Sequence, residues 1–107
     1  MLTIHKYPVP SDTGLWGIAL PKGATLLKID WQESVNRACL WCLVDPDAPP
    51  ELHAFRIYGT GWQIRPEEVG SHVATWQTPG GFVWHAFRDR EDERRRQTEH
   101  REFLNVN

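Results

Sequence analysis

The chain lacks a long apolar run, an excess of positive charge and any abundance of cysteine. No stretch approaches the ~20 apolar residues of a transmembrane helix. Its first residues, Met1-Leu2-Thr3-Ile4-His5-Lys6, have neither the basic start nor the apolar centre of a secretory signal. A soluble cytoplasmic protein with no membrane partner is the expectation. With 12 Lys and Arg against 14 Asp and Glu, the formal charge of −2 argues against a protein that coats DNA or RNA. The two cysteines, Cys39 and Cys42, lie inside one apolar run. On a strand their Cα atoms would stand ~10 Å apart and point to opposite faces, beyond the ~7 Å that a disulfide spans. The same spacing spoils a two-thiolate metal knuckle. Both read as small buried hydrophobes of a reducing compartment.

Motifs of known chemistry are equally scarce. The five histidines show no HxH or HExxH spacing, so no metal is expected. A zinc site from His72 and His85, which could meet across a hairpin, is the remote exception. Ser71-His72 adjacency places the two side chains on opposite faces of a strand, and no GxSxG elbow occurs. Asp45 and Asp47 flank Pro46 and read as turn residues that accept backbone N–H groups, ahead of a general acid/base pair. No catalytic residue and no cofactor are expected.

What is present is aromatic surface and turn chemistry. One hundred and seven residues make one domain, with six tryptophans at positions 16, 31, 41, 62, 76 and 84. Most should fill the core. Seven short runs with period-two patterning, separated by turn signals, predict an all-β fold, an antiparallel sandwich or partly open barrel. The runs are Leu2 to Tyr7, Leu15 to Leu20, Ala24 to Trp31, Ala38 to Val44, His53 to Tyr58, Ser71 to Gln77 and Phe82 to Arg88. Ala24 to Trp31 sets Leu27, Ile29 and Trp31 against Leu26, Lys28 and Asp30. Ala38 to Val44 is apolar on both faces and should be a central strand covered on both sides. It leads through the Asp45–Pro50 turn into His53 to Tyr58, as if the two were hairpin partners. Arg65 to Val69 suits one helical turn.

Residues 1–88 therefore read as one β domain and 89–107 as a charged tail. In the tail Glu91→Arg95 and Asp92→Arg96 have acid-before-base spacing that favours a helix. Without an apolar stripe before Phe103, Leu104 and Val106, it should be a solvated extension or dock through Phe103 and Leu104 on a neighbouring subunit.

The candidate site is Arg56 to Trp62. Gly59-Thr60-Gly61 lacks the lysine and following helix of a P-loop, but glycines permit close approach and Thr60 supplies a donor and an acceptor. Arg56 and Tyr58 share a face just before it, and Trp62 and Arg65 follow. In Phe82-Val83-Trp84-His85-Ala86-Phe87, Trp84 and His85 point to opposite faces, so one of the two should be available to a ligand. Arg56, Tyr58, Thr60, Trp62, Arg65, Trp84 and His85 are the candidate ligand-binding set, suited to a phosphate and a base.

As a set, Lys6-Tyr7-Pro8-Val9-Pro10, Leu20-Pro21-Lys22-Gly23-Ala24, the stretch from Leu40 to Pro49, the stretch from Phe55 to Gly61 and the stretch from Gly80 to Phe87 resemble a family of small uncharacterised phage proteins. The resemblance spans residues 4 to 88. It suggests, by analogy with phage anti-defence sponges, a protein acting in the host cytoplasm that sequesters a cyclic nucleotide immune signal without turnover. Such a pocket would be completed by a homo-oligomer. A protein–protein interaction module, either a phage structural accessory or an inhibitor of a host protein, is the alternative. An enzyme using His72 or His85 is a more distant one.

Overall fold

The computed structural model describes residues 1–11 and 14–105, with side chains up to Glu99. Seven strands form two open antiparallel sheets that share one core. The first sheet has the order β1 (Thr3–Pro8), β4 (Arg37–Val44), β3 (Thr25–Gln32). The second has the order β2 (Gly14–Pro21), β5 (Pro50–Gly59), β7 (Val83–Asp89), β6 (Val69–Gln77). A helix, α1 (Arg90–Asn105), follows β7 directly. The expected all-β sandwich is what the chain adopts.

Alternation explains the core. Ala38, Leu40, Cys42 and Val44 of β4 point inward with Ile29 of β3, and they meet Trp16, Leu20, Phe55, Ile57, Trp76 and Ala86 of the second sheet. Burying each large apolar side chain contributes about 1.5–3 kcal/mol. Cys42 lies wholly inside, where burial pushes its thiol up to about 11. Cys39 pairs with Pro8 and Asp30 on the other face, and both thiols are free.

Three sequence readings change. First, β4 and β5 are not hairpin partners, because β4 pairs only within the first sheet and β5 only within the second. The Asp45–Pro49 segment is a crossover between layers. Asp45 holds it, its carboxylate accepting the Asp47 N–H at 3.0 Å and its carbonyl the Ala48 N–H at 3.1 Å. Second, β4 is central in its sheet but its outer face is covered only in part, since Cys39 there is buried while Trp41 and Leu43 stay half-buried. Third, a bulge between Leu26 and Lys28 breaks the alternation of β3. It turns Leu27 out to 50 % exposure while Leu26 packs against the core.

The charged tail is also tied down at its start. Asp89 caps α1, its carboxylate accepting the Asp92 N–H at 3.2 Å. Pairing of β7 with β5 reaches no further than Phe55↔Arg88, so the earlier part of β5 has an open edge. Asp92 accepts the Ala54 N–H at 3.1 Å, and Arg96 donates to the Leu52 carbonyl and to Glu51 Oε1 at 2.5 Å. On the other flank Glu93 accepts the Ser71 N–H at 3.1 Å. Helix side chains thus satisfy the edge groups that a further strand would hold. The first two turns are thus tied to the sheet and are not a free extension, and the Phe103, Leu104 and Val106 side chains lie outside the described residues.

Candidate functional site

The turn after β5 is built by its glycines. Gly61 takes a φ of +85°, and the Trp62 N–H returns to the Gly59 carbonyl at 3.2 Å. The indole of Trp62 folds onto Gly59, where an added Cβ would stand 2.7 Å from Nε1. Trp62 meets Trp84 edge-on, ring centroids 5.7 Å apart, and Phe82 lies nearly parallel to Trp84 at 6.3 Å. Gly59, Thr60, Trp62, Phe82, Val83 and Trp84 line a hollow of about 470 Å³.

Trp84 belongs to a second cavity as well. This one lies between the sheets, measures about 440 Å³, and is walled by the indoles of Trp31, Trp76 and Trp84. Val9, Thr78 and Asn36 complete part of its lining, with Arg37 at an exposed position. Arg37 Nη2 donates to the Val9 carbonyl at 3.1 Å, which fixes one edge of the guanidinium. The Trp31 Nε1–H is buried and has no hydrogen-bond partner among the described residues.

The opposite face of the second sheet is polar. His85 Nε2 lies 2.7 Å from Thr60 Oγ1, its Nδ1 lies 3.0 Å from Thr75 Oγ1, and Thr75 Oγ1 lies 2.8 Å from His72 Nε2. His72 and His85 are therefore linked through a hydroxyl and are not cross-strand partners, since the register opposes His72 to Phe87 and Thr75 to His85. Among the described residues no group of three or more His, Cys, Asp or Glu could hold a metal ion. Arg56 is engaged by Asp89 at 2.7 Å and Glu68 at 3.5 Å. Tyr58 is buried, and this burial pushes its hydroxyl pKa up.

The seven candidate residues divide across the sheet. Trp62 and Trp84 come together at the hollow, and Arg56, Tyr58 and His85 occupy the other face, while Thr60 sits at the end of the sheet, lining the hollow with its Oγ1 turned to His85. Arg65 is exposed ahead of the Pro66–Glu68 turn and lines neither cavity. Trp84 and His85 do oppose one another, yet both keep partial exposure, because the Trp84 face opens into cavities. Trp31, Trp76 and Arg37 escaped the sequence reading. They sit on three separate strands, and only the packing of the sheets brings them to one wall.

Residues 1–97 match a protein family described as Domain of unknown function (DUF7352). The match extends through the first two turns of α1, the part that side chains tie to the sheet. No curated protein and no solved structure matches the chain.

Proposed function

The chain belongs to that family, whose description names no activity, and we propose from its own cavities that it binds and holds a small nucleotide without turning it over. The observation that carries this reading is the inter-sheet cavity walled by three tryptophans. Its volume of about 440 Å³ falls in the range of roughly 300–1,000 Å³ usual for small-molecule sites. Base-on-aromatic stacking is worth about 1–3 kcal/mol per base. Among the described residues Arg37 keeps donors free for a phosphate, whereas Arg56 is already engaged by two carboxylates.

In the setting suggested by the resemblance to phage proteins, the ligand would be a cyclic nucleotide immune signal in the host cytoplasm. A homo-oligomer would complete the pocket. No helix among the described residues is long and apolar enough to cross a membrane. Calorimetry against mononucleotides and a panel of cyclic di- and trinucleotides tests the reading. Binding should weaken about tenfold, or 1.4 kcal/mol, in Trp31→Leu, which removes one stacking face. No heat at high micromolar concentration across the panel overturns it.

A second reading, a protein–protein module, is favoured by the outer face of the first sheet. There Ile4 and Leu27, 57 % and 50 % exposed, flank half-buried Trp41 and Leu43. Recovery of a stoichiometric host protein and no nucleotide from lysate would favour it.

A further inference from the structure

The Thr60–His85 pair goes beyond the binding reading, because it has the geometry of an activated nucleophile. Thr60 is exposed at the tip of a glycine-flanked turn, and its hydroxyl has two acceptors in reach. The Val83 carbonyl is 3.4 Å away and His85 Nε2 is 2.7 Å away. The shorter contact takes the proton, since hydrogen bonds weaken steeply towards 3.5 Å. With Nε2 accepting, the neutral ring carries its proton on Nδ1, which donates to Thr75 Oγ1 at 3.0 Å. The Thr75 hydroxyl then donates to His72 Nε2 at 2.8 Å. Nucleophile, base and a group that orients the base are therefore in series, the arrangement common to nucleophilic catalysis.

We propose that Thr60 accepts an acyl group from esters carrying an aromatic ring, with His85 as the base and Thr75 as a positioning residue. The ring would rest in the hollow that Thr60 shares with Trp62, Phe82 and Trp84. Thr60 Oγ1 attacks the ester carbonyl carbon as its proton passes to His85 Nε2. The carbon–oxygen bond to the leaving group breaks, and Nε2 returns the proton to that oxygen, releasing an alcohol or phenol. Water, deprotonated by the same Nε2, then attacks the acyl-threonine. The carboxylic acid leaves, and the proton returns to Oγ1. The reaction is a hydrolysis that uses only ester and water.

The probe is 4-nitrophenyl acetate, with nitrophenolate release followed by stopped flow and the acetylated residue located by peptide mass mapping. The intact protein should give a burst and carry acetyl on Thr60. Thr60→Ala should abolish both, His85→Gln should slow the burst about a hundredfold, and Thr60→Ser should retain them. Thr75→Val, which strips Nδ1–H of its acceptor, should lower kcat at unchanged KM. Far-UV circular dichroism confirms that each variant folds. Acetylation confined to lysines, a burst that survives Thr60→Ala, or no burst at all overturns the proposal, and none of these results bears on nucleotide binding in the inter-sheet cavity.

Discussion

His53 shows how a single buried side chain sets a pH limit. It is 4 % exposed, and Arg88 Nη1 donates to its Nδ1 at 3.4 Å, so the ring proton sits on Nε2. That Nε2 has no hydrogen-bond partner among the described residues, and the nearest carboxylate oxygen, on Glu51, is 3.6 Å away. Burial, reinforced by Arg96 and Arg88, lowers the pKa from 6.5 to about 4. The folded state therefore resists a proton that the unfolded chain accepts. The stability tied to neutral His53 is complete above pH 6.5 and is lost as pH falls through about 4. The full loss is of order 3 kcal/mol. Urea denaturation between about pH 7.5 and 4.5 should show this decline, and His53→Leu should flatten it. Gly59 is the second residue with an outsized consequence. Gly59→Ala would drive its Cβ into the Trp62 indole, but Trp62 is 49 % exposed and can swing away. The expected result is a stability change below about 1 kcal/mol with a red-shifted tryptophan emission, as the hollow opens.

At the scale of elements, the junction of β5, β7 and α1 is where charge does structural work. Burial alone would raise the Asp92 pKa, but the Ala54 N–H and the Arg96 and Arg95 guanidiniums outweigh it and hold the carboxyl below its ordinary value. Its stabilisation is complete above pH 3.8, lower than the window in which that of His53 is lost, and disappears as pH falls from there through its own depressed pKa. Asp92→Ala would leave the Ala54 N–H unsatisfied and strip Arg96 of one of its three acceptors, and should cost about 2–3 kcal/mol in chemical denaturation. Gly70 belongs to the same junction, since an added Cβ would lie 2.9 Å from both the Arg88 carbonyl and Glu93 Oε1. Gly70→Ala should destabilise by about 1–3 kcal/mol. The strands here were legible, because apolar alternation and turn residues are local signals. The role of the helix was not. Asp92→Arg96 spacing announced a helix, yet the same residues also serve the edge of β5, 38 positions from Asp92 to Ala54. A contact across that separation leaves no periodic trace in the chain. The bulge at Leu27 was invisible for a related reason, as it is set by the register against β4.

For the molecule as a whole, the site depends on how two sheets meet. Arg56 to Trp62 stood out in the sequence because its chemistry is contiguous, and Thr60 and Trp62 do line a cavity. Strand alternation nevertheless sent Arg56 and Tyr58 to the face away from Trp84. The cavity walled by Trp31, Trp76 and Trp84 draws one residue from the first sheet and two from the second. Closing a ligand into it would therefore brace the layers against each other, so occupancy should register as global stability. A ligand at a hundred times its Kd adds about 2.7 kcal/mol, and for a domain of this size each kcal/mol moves Tm by about 4–8 °C. A nucleotide that binds there should raise Tm by roughly 10–20 °C on that scale and alter the emission of the three wall indoles together. Arg37→Ala, at the exposed rim, should leave the unliganded Tm within a few degrees and reduce the ligand-induced rise. An equal rise in Arg37→Ala would remove the phosphate from that rim and leave stacking as the sole source of affinity.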